Sequence, residues 1–256
     1  MRSARGLPLK ACCSKSKCID MAVSFSHRSE ALEIMDDLTY QDEVVFQTLS
    51  ELDFINQWLG GNTVTLNALE KLWKKVPKEN RISIADLGCG SGEMLRLIAK
   101  KALSENRNAQ LEGIDANPHI IGYAKKHSQK LEDLNFEAIN IFSSDFQSKH
   151  FDIIIATLFL HHFSDEELVN LFRFLKNQAK EGIIVNDIHR HPLAYYSIKW
   201  LTALFSKSSM VKFDAPLSVL RAFKRRELQA ILQKAGIENY ELQWKWAFRW
   251  QLIIYC

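Results

Sequence analysis

The sequence predicts an α/β protein, an open and mostly parallel sheet with helices on both faces. Three observations carry that expectation. Short apolar runs alternate with amphipathic helical segments through most of the chain. Ile82–Leu87 is an apolar run that passes directly into Gly88, Gly90 and Gly92 and then into a helical pattern, the order of strand, tight turn and helix. Gln110–Asp115 is a second apolar run that ends in an acid, with Asn117-Pro118 opening the next helix. A chain of 256 residues with 47% hydrophobic content is long enough to bury one sizeable core.

Residues 1–28 read as a disordered or non-native extension, with Met21 as the natural start. Positions 1–20 have no apolar periodicity and no apolar core long enough for a signal peptide. The domain is expected over 29–256, and its first part, 29–76, reads as a helical cap. Val44, Val45, Leu49, Leu52, Ile55 and Leu59 suit an amphipathic helix that Gly60-Gly61-Asn62 ends. Thr63–Val76 gives a second helix with Leu66, Leu69, Leu72 and Trp73. The span 81–187 reads as the core. After the glycine turn, Leu95, Ile98, Ala99 and Ala102 mark a helix whose first backbone N–H groups are free to hold an anionic ligand group. Strands follow at Gln110–Asp115, Phe136–Ile141, Phe151–Ala156 and Gly182–Asp187, with a helix boxed by Ser164 and Glu167 between the last two.

Residues 188–223 read as an insertion. From 193 to 205 ten of thirteen positions are apolar, including Tyr195, Tyr196, Trp200 and Phe205. A helix apolar nearly all round is normally buried. It is expected to act as a lid over an apolar substrate; a dimer contact, a membrane-surface contact and packing on the N-terminal helices are the alternatives. Arg221, Lys224, Arg225 and Arg226 read as a solvated helix start. Positions 224–256 hold a helix with Leu228, Ile231, Leu232 and Ala235, closed by Gly236, and then alternating strand residues among which Trp244 and Trp246 read as core. No run reaches the roughly 18 apolar residues that a membrane span needs.

The turn is more specific than a generic glycine loop. A dinucleotide turn would need a third glycine at position 93, where the chain has Glu93, and the Gly-Lys-Ser/Thr of a phosphate loop is absent. What stands is Asp86-x-Gly88-x-Gly90-x-Gly92. Residues 82–94 resemble motif I of the class I S-adenosylmethionine-dependent methyltransferases, and Phe151-Asp152 with the apolar run after it resembles the family's motif IV. The resemblance spans about residues 40–255 and is closest to the quinone-type and polyketide-tailoring members. It implies a Rossmann-like class I methyltransferase fold with a seven-stranded sheet, the last strand antiparallel. It also implies that the helices before motif I fold over the donor, with Trp58, Gly60, Gly61 and Asn62 near the substrate opening; a plain helix–turn–helix packed on the sheet is the alternative. The implied methyl donor is S-adenosyl-L-methionine. Its implied binding residues are Asp86, Gly88, Cys89, Gly90 and Gly92 in the turn, Asp115 and Ala116 after the second strand, Asn140 and Ile141 after the third, and Thr157 after the fourth. Asp115, 23 residues after Gly92, is well placed to accept bonds from two ribose hydroxyls. Asn140 stands where many relatives carry an acid, and Asp145 is the nearby carboxylate.

Methyl transfer is an in-line displacement, so alignment of the reactants is the protein's main task and can contribute about 7–11 kcal/mol. A hydroxyl acceptor must also lose a proton. His189 and His191 follow the fifth strand at its carboxyl end, where open α/β sheets bind ligands, and are the expected catalytic bases. His161 and His162, after the fourth strand, are the second pair, with contact to the donor's adenosine as their other reading. No metal is expected, because Asp187 is the lone obvious acid near these strands and Thr157 offers no carboxylate. The Asn/Asp-Pro-Pro-Tyr motif of amino-group methylation is replaced by Ala156-Thr157-Leu158-Phe159.

Residues 1–20 carry a net charge of +4 against +3 for the whole chain, so the remainder is near −1 and offers no basic face for nucleic acid. Of five cysteines, Cys12, Cys13 and Cys18 lie in the extension, Cys89 in the turn and Cys256 at the last position. That scatter argues against a disulfide framework and suits a reducing cytoplasm. The expected function is methylation of a small apolar acceptor, aromatic, phenolic or quinol-like, with O-methylation ahead of C-methylation; a homodimer is one arrangement the sequence leaves open. A donor-binding regulatory or scaffold protein is the alternative. An NAD-dependent dehydrogenase is disfavoured by Glu93.

Overall fold

The computed structural model describes residues 23–38, 43–131 and 133–256. The expected extension over 1–20, its three cysteines and the start at Met21 lie outside the described residues. Residues 23–28, grouped above with that extension, are tethered. Arg28 donates to the carbonyls of Arg221, His161 and Phe163 and pairs with Asp165, and Phe25 packs edge-on against Tyr195.

The strands are β1 (Ile82–Leu87), β2 (Ala109–Asp115), β3 (Leu134–Ala138), β4 (Phe151–Thr157), β5 (Ala179–Ile188), β6 (Tyr240–Lys245) and β7 (Arg249–Tyr255). They form one seven-stranded sheet in the order β3-β2-β1-β4-β5-β7-β6. The pairs among β1–β5 are parallel, and β7 is antiparallel to both its neighbours. The helices are α1 (Glu43–Trp58), α2 (Gly61–Trp73), α3 (Glu93–Ser104), α4 (Pro118–Ser128), α5 (Ser144–Gln147), α6 (Asp165–Gln178), α7 (Pro192–Phe205), α8 (Ser209–Arg221) and α9 (Arg225–Lys234). Ile82, Ile84, Ile153, Ile155 and Ile184 pack with α2, α3 and α4 on one face of the sheet. Ala85, Leu87, Ile154, Ile183 and Val185 pack with α5, α6 and α9 on the other. Burial on both faces is why these strands read as continuous apolar runs.

Two boundaries differ from the sequence reading for local reasons. β3 ends at Ala138, not Ile141, because Asn140 turns the chain: its Oδ1 accepts from Phe142 N and its carbonyl from Ser143 N. β5 begins at Ala179, directly after α6, with no intervening loop. The capping box at the start of α6 forms as expected, Ser164 Oγ accepting from Glu167 N and Glu167 Oε2 from Ser164 N. Trp244 and Trp246, expected in the core, are exposed instead, because Trp244 lies on the edge strand β6 and Trp246 in the connection between β6 and β7.

Candidate active site

Local chain chemistry builds the site at the carboxyl ends of β1, β2, β4 and β5. After β1, Gly88 and Gly90 take positive φ, 65° and 52°, which side-chain-bearing residues rarely adopt. A Cβ on Gly88 would sit 2.1 Å from the Phe159 ring, so the turn and the segment after β4 touch only because Gly88 has no side chain. At Gly90 the nearest atom is Leu49 Cδ2 at 3.6 Å, which leaves this backbone open to the cavity. After β2, Asp115 Oδ1 accepts from Asn117 N at 2.9 Å and Oδ2 from Gly90 N at 3.4 Å, binding the second strand's tip to the turn. Asn117 caps α4 through His119 N, with Pro118 in its first turn.

Above these ends lies a cavity of about 750 Å³. Asp86, Gly88, Cys89, Gly90, Asp115, Ala116, Asn140, Ile141 and Thr157 line it. Gly92 does not: it caps α3, and its open side faces the Phe136 ring. The roof comes from α1, α7, α8 and the β6–β7 connection, through Leu52, Ile55, Ile198, Leu201, Val219 and Phe248. Asp53 of α1 ties roof to turn by accepting from Ser91 Oγ at 2.6 Å.

The cavity also has a polar floor. His161 Nδ1 lies 2.8 Å from Asp187 Oδ1, and His161 N donates to Asp187 Oδ2. Both residues are buried. Burial would raise the Asp187 carboxyl, but the His161 contact outweighs it and holds the carboxyl below its ordinary range. Asp187 is therefore the ionised acceptor and His161 Nδ1–H the donor. His161 Nε2 then faces Glu33 Oε1 at 3.7 Å. Burial raises Glu33 to about 7, and its Oε1 has no hydrogen-bond partner. Beside it, His162 Nδ1 contacts Asp36 Oδ1 at 2.6 Å, and Arg221 bonds Asp36 and the His162 carbonyl. Burial opposes ionisation of Asp36, but the bonds from His162 and Arg221 hold it far below the usual carboxylate range. Arg221, expected at a solvated helix start, is thus a buried tie between α8 and the floor.

Two further buried groups face the cavity with unpaired polar atoms. Asp86 Oδ1 has no partner, and burial, then the Asp115 charge, raises this carboxyl to about 8. Arg249 Nη2 donates to Asn56 Oδ1 at 3.0 Å while its Nη1 has none. Burial lowers the guanidinium to about 10, still charged at neutral pH. Burial likewise keeps the Cys89 thiol protonated.

The structure does not bring His189 and His191 to this cavity. They line a separate recess with Phe25, Arg190, Lys224 and Trp250. Past Ile188 the backbone bridges to Phe223 and Phe248, which turns both rings away from the cavity. There His189 Nδ1 accepts from Trp244 Nε1, and burial, then His191, lowers its pKa to about 4. His191 caps α7 by accepting from Leu193 N. Glu33, Asp36 and Arg249 were not singled out from the sequence, because nothing in their local spacing marks them. The sequence marks Asp187 and His161 separately and does not pair them; the parallel alignment of β4 with β5 at Thr157 and Asn186 brings together Asp187, near the end of β5, and His161, just after β4.

The chain matches a methyltransferase domain family over residues 78–236. Among solved structures it is similar to the plantazolicin methyltransferase BpumL in complex with SAH, at 24% identity, over 78% of this chain and 72% of that one, with a TM-score of 0.55. It is similar to human N-acetylserotonin methyltransferase in complex with SAM, at 20% identity, over 82% and 55% of the two chains, with a TM-score of 0.56. A putative O-methyltransferase from Nostoc punctiforme gives 18% identity, 77% and 57% coverage, and a TM-score of 0.53. The chain thus spans little more than half the length of the last two. No curated protein sequence matches it. At these identities the structural likeness speaks for the fold.

Proposed function

The chain belongs to the methyltransferase domain family and is a class I S-adenosylmethionine-dependent methyltransferase; on that premise we propose that it methylates the hydroxyl of a small apolar acceptor, with His161 as the base. The observation that carries this reading is the buried Asp187–His161 pair on the floor of a cavity whose roof is largely apolar.

The donor, when bound, supplies an electrophilic methyl group on a sulfonium sulfur. The residues present fit it. The amino-acid end of the donor carries an ammonium and a carboxylate, and the cavity holds an unpaired buried carboxylate oxygen, on Asp86, and an unpaired buried guanidinium N–H, on Arg249. Leaving either without a partner is costly, so a ligand that satisfies both is favoured. On this reading Asp115 takes the ribose hydroxyls, and Asn140 and Ile141 the adenine side, which their place in the cavity lining supports.

Asp187 fixes the His161 tautomer with the proton on Nδ1, which leaves the Nε2 lone pair to accept the acceptor's hydroxyl proton. The same carboxylate stabilises the imidazolium that results. Glu33 Oε1, 3.7 Å from Nε2 and near half-protonated at neutral pH, is positioned to take the proton on. Apolar roof residues exclude water around the reacting oxygen.

His161→Gln tests the reading. Turnover on a panel of phenols and quinols should fall by about 10²–10⁴-fold, while thermal stabilisation by S-adenosylhomocysteine is retained. Full turnover in the variant removes the base. Absence of turnover in the unaltered protein on every hydroxyl acceptor, with donor binding intact, moves the donor-binding scaffold reading to the front.

A further inference from the structure

Helix α7 has two unlike faces. Ala194, Ile198 and Leu201 point to the cavity. Leu193, Tyr196, Trp200 and Leu204 recur at helical spacing on the other side, where the expectation of all-round burial fails. Trp200, Leu204 and the adjoining Phe205 are 68, 67 and 76% exposed, and Phe213 of α8 adds another exposed ring. A contiguous row of large apolar side chains in water marks an interaction surface.

The charge around this row identifies what it meets. From Ile188 to Phe213 the chain has four basic residues, Arg190, Lys199, Lys207 and Lys212, and no Asp or Glu. Arg190 is buried and bonded to Glu227 and backbone carbonyls, so the exposed charges are the three lysines. Glu51 of α1 reaches the α7–α8 connection, but its oxygens accept from Ser206 Oγ, Lys207 N and Ser208 N.

We propose that this face of α7, with the start of α8, seats the protein on an anionic lipid surface. Tryptophan, tyrosine, leucine and phenylalanine on one face, flanked by lysines and with no acid in the segment itself, is the composition of a helix lying in the headgroup plane. No helix among the described residues is long and apolar enough to cross a membrane, so α7 lies on the surface. A second copy of the chain fits less well. A two-fold contact through this face would gather six lysines, three from each copy, into one interface with no Asp or Glu from 188–213 to pair with them. The cavity opens beside the same face: Ser197 lines it and is exposed next to Tyr196, and exposed Trp58 and Trp246 line it too. On the methyltransferase reading above, an apolar acceptor dissolved in the bilayer would reach the cavity without crossing bulk water.

The test is co-sedimentation of the full chain with phosphatidylglycerol-rich vesicles and with pure phosphatidylcholine vesicles. Binding is expected to the first, weaker to the second, and to fall with salt. Each lysine near an anionic surface contributes about fivefold to partitioning. The triple variant Lys199→Glu, Lys207→Glu, Lys212→Glu and the single variant Trp200→Ser should each lose at least tenfold. Retained thermal stabilisation by S-adenosylhomocysteine in both variants establishes that they are folded. No binding to the anionic vesicles overturns the proposal, and so does binding that survives in both variants. A dimer in analytical ultracentrifugation that Trp200→Ser converts to monomer, without vesicle binding, assigns the face to a second copy instead. None of these outcomes depends on methyl transfer, so failure here leaves the reaction assignment untouched.

Discussion

Asp86 sits fully buried with one oxygen unpaired, and burial and Asp115 raise it to about 8. A ligand ammonium needs its carboxylate form, so donor binding releases a proton when it occurs below that pH. The affinity for S-adenosylhomocysteine, measured by calorimetry, should therefore rise between pH 6 and 9, and Asp86→Asn should weaken binding and flatten the rise; a wild-type profile flat in pH refutes the role. Asp187→Asn should leave donor binding intact and lower turnover as severely as loss of His161, because an amide neither fixes the tautomer nor stabilises the imidazolium. Asp86, Gly88, Gly90 and Asp115 were legible because motif spacing is local. Glu33 and Arg249 were not, since their importance arises only when α1, β7 and the N-terminal cap close over one space. His189 and His191 stood at the right strand end by sequence, but a backbone bridge to Phe223 turns them into another recess.

Among the elements, the strands were legible because parallel strands buried on both faces leave unbroken apolar runs, and the helix starts because capping residues act over three or four positions. Ser164→Ala should cost α6 about 1 kcal/mol, read as a fall in midpoint of roughly 2–4 °C. Gly88→Ala tests the tighter constraint. Its Cβ would fall 2.1 Å from Phe159 at a φ of 65°, so a loss of about 1–3 kcal/mol or more should accompany weakened donor binding. An unchanged melting curve would show that Phe159 can yield. Helix α7 was legible as a helix but not as a two-faced one. Its composition is apolar nearly all round, and only tertiary contact decides which side meets the cavity.

Over the whole molecule, the raised carboxyls set the pH response. Glu33, Asp53 and Asp86 stand at about 7, 6 and 8 in the folded protein. Between the unfolded carboxylate range and those values the folded state holds more protons, so their contribution to stability falls as pH rises. Asp36 and Asp187 are lowered and work the other way, losing their stabilisation as pH drops below the ordinary carboxylate range. The unliganded melting temperature should peak at mildly acidic pH and decline toward pH 8.5, by differential scanning calorimetry; a steady rise over that interval would contradict the assignments. The sheet order carries one more consequence, for synthesis. β7 inserts between β5 and β6 and brings Arg249 to a cavity whose other wall is set by Glu33. A growing chain can complete β1 to β5 and their helices first, yet it exposes the open edge of β5 until β7 has emerged. If Arg249 holds the donor as proposed, donor capture is deferred to the last stage of folding, and a ribosome-stalled chain ending before residue 249 should need chaperone protection rather than S-adenosylmethionine to stay in solution.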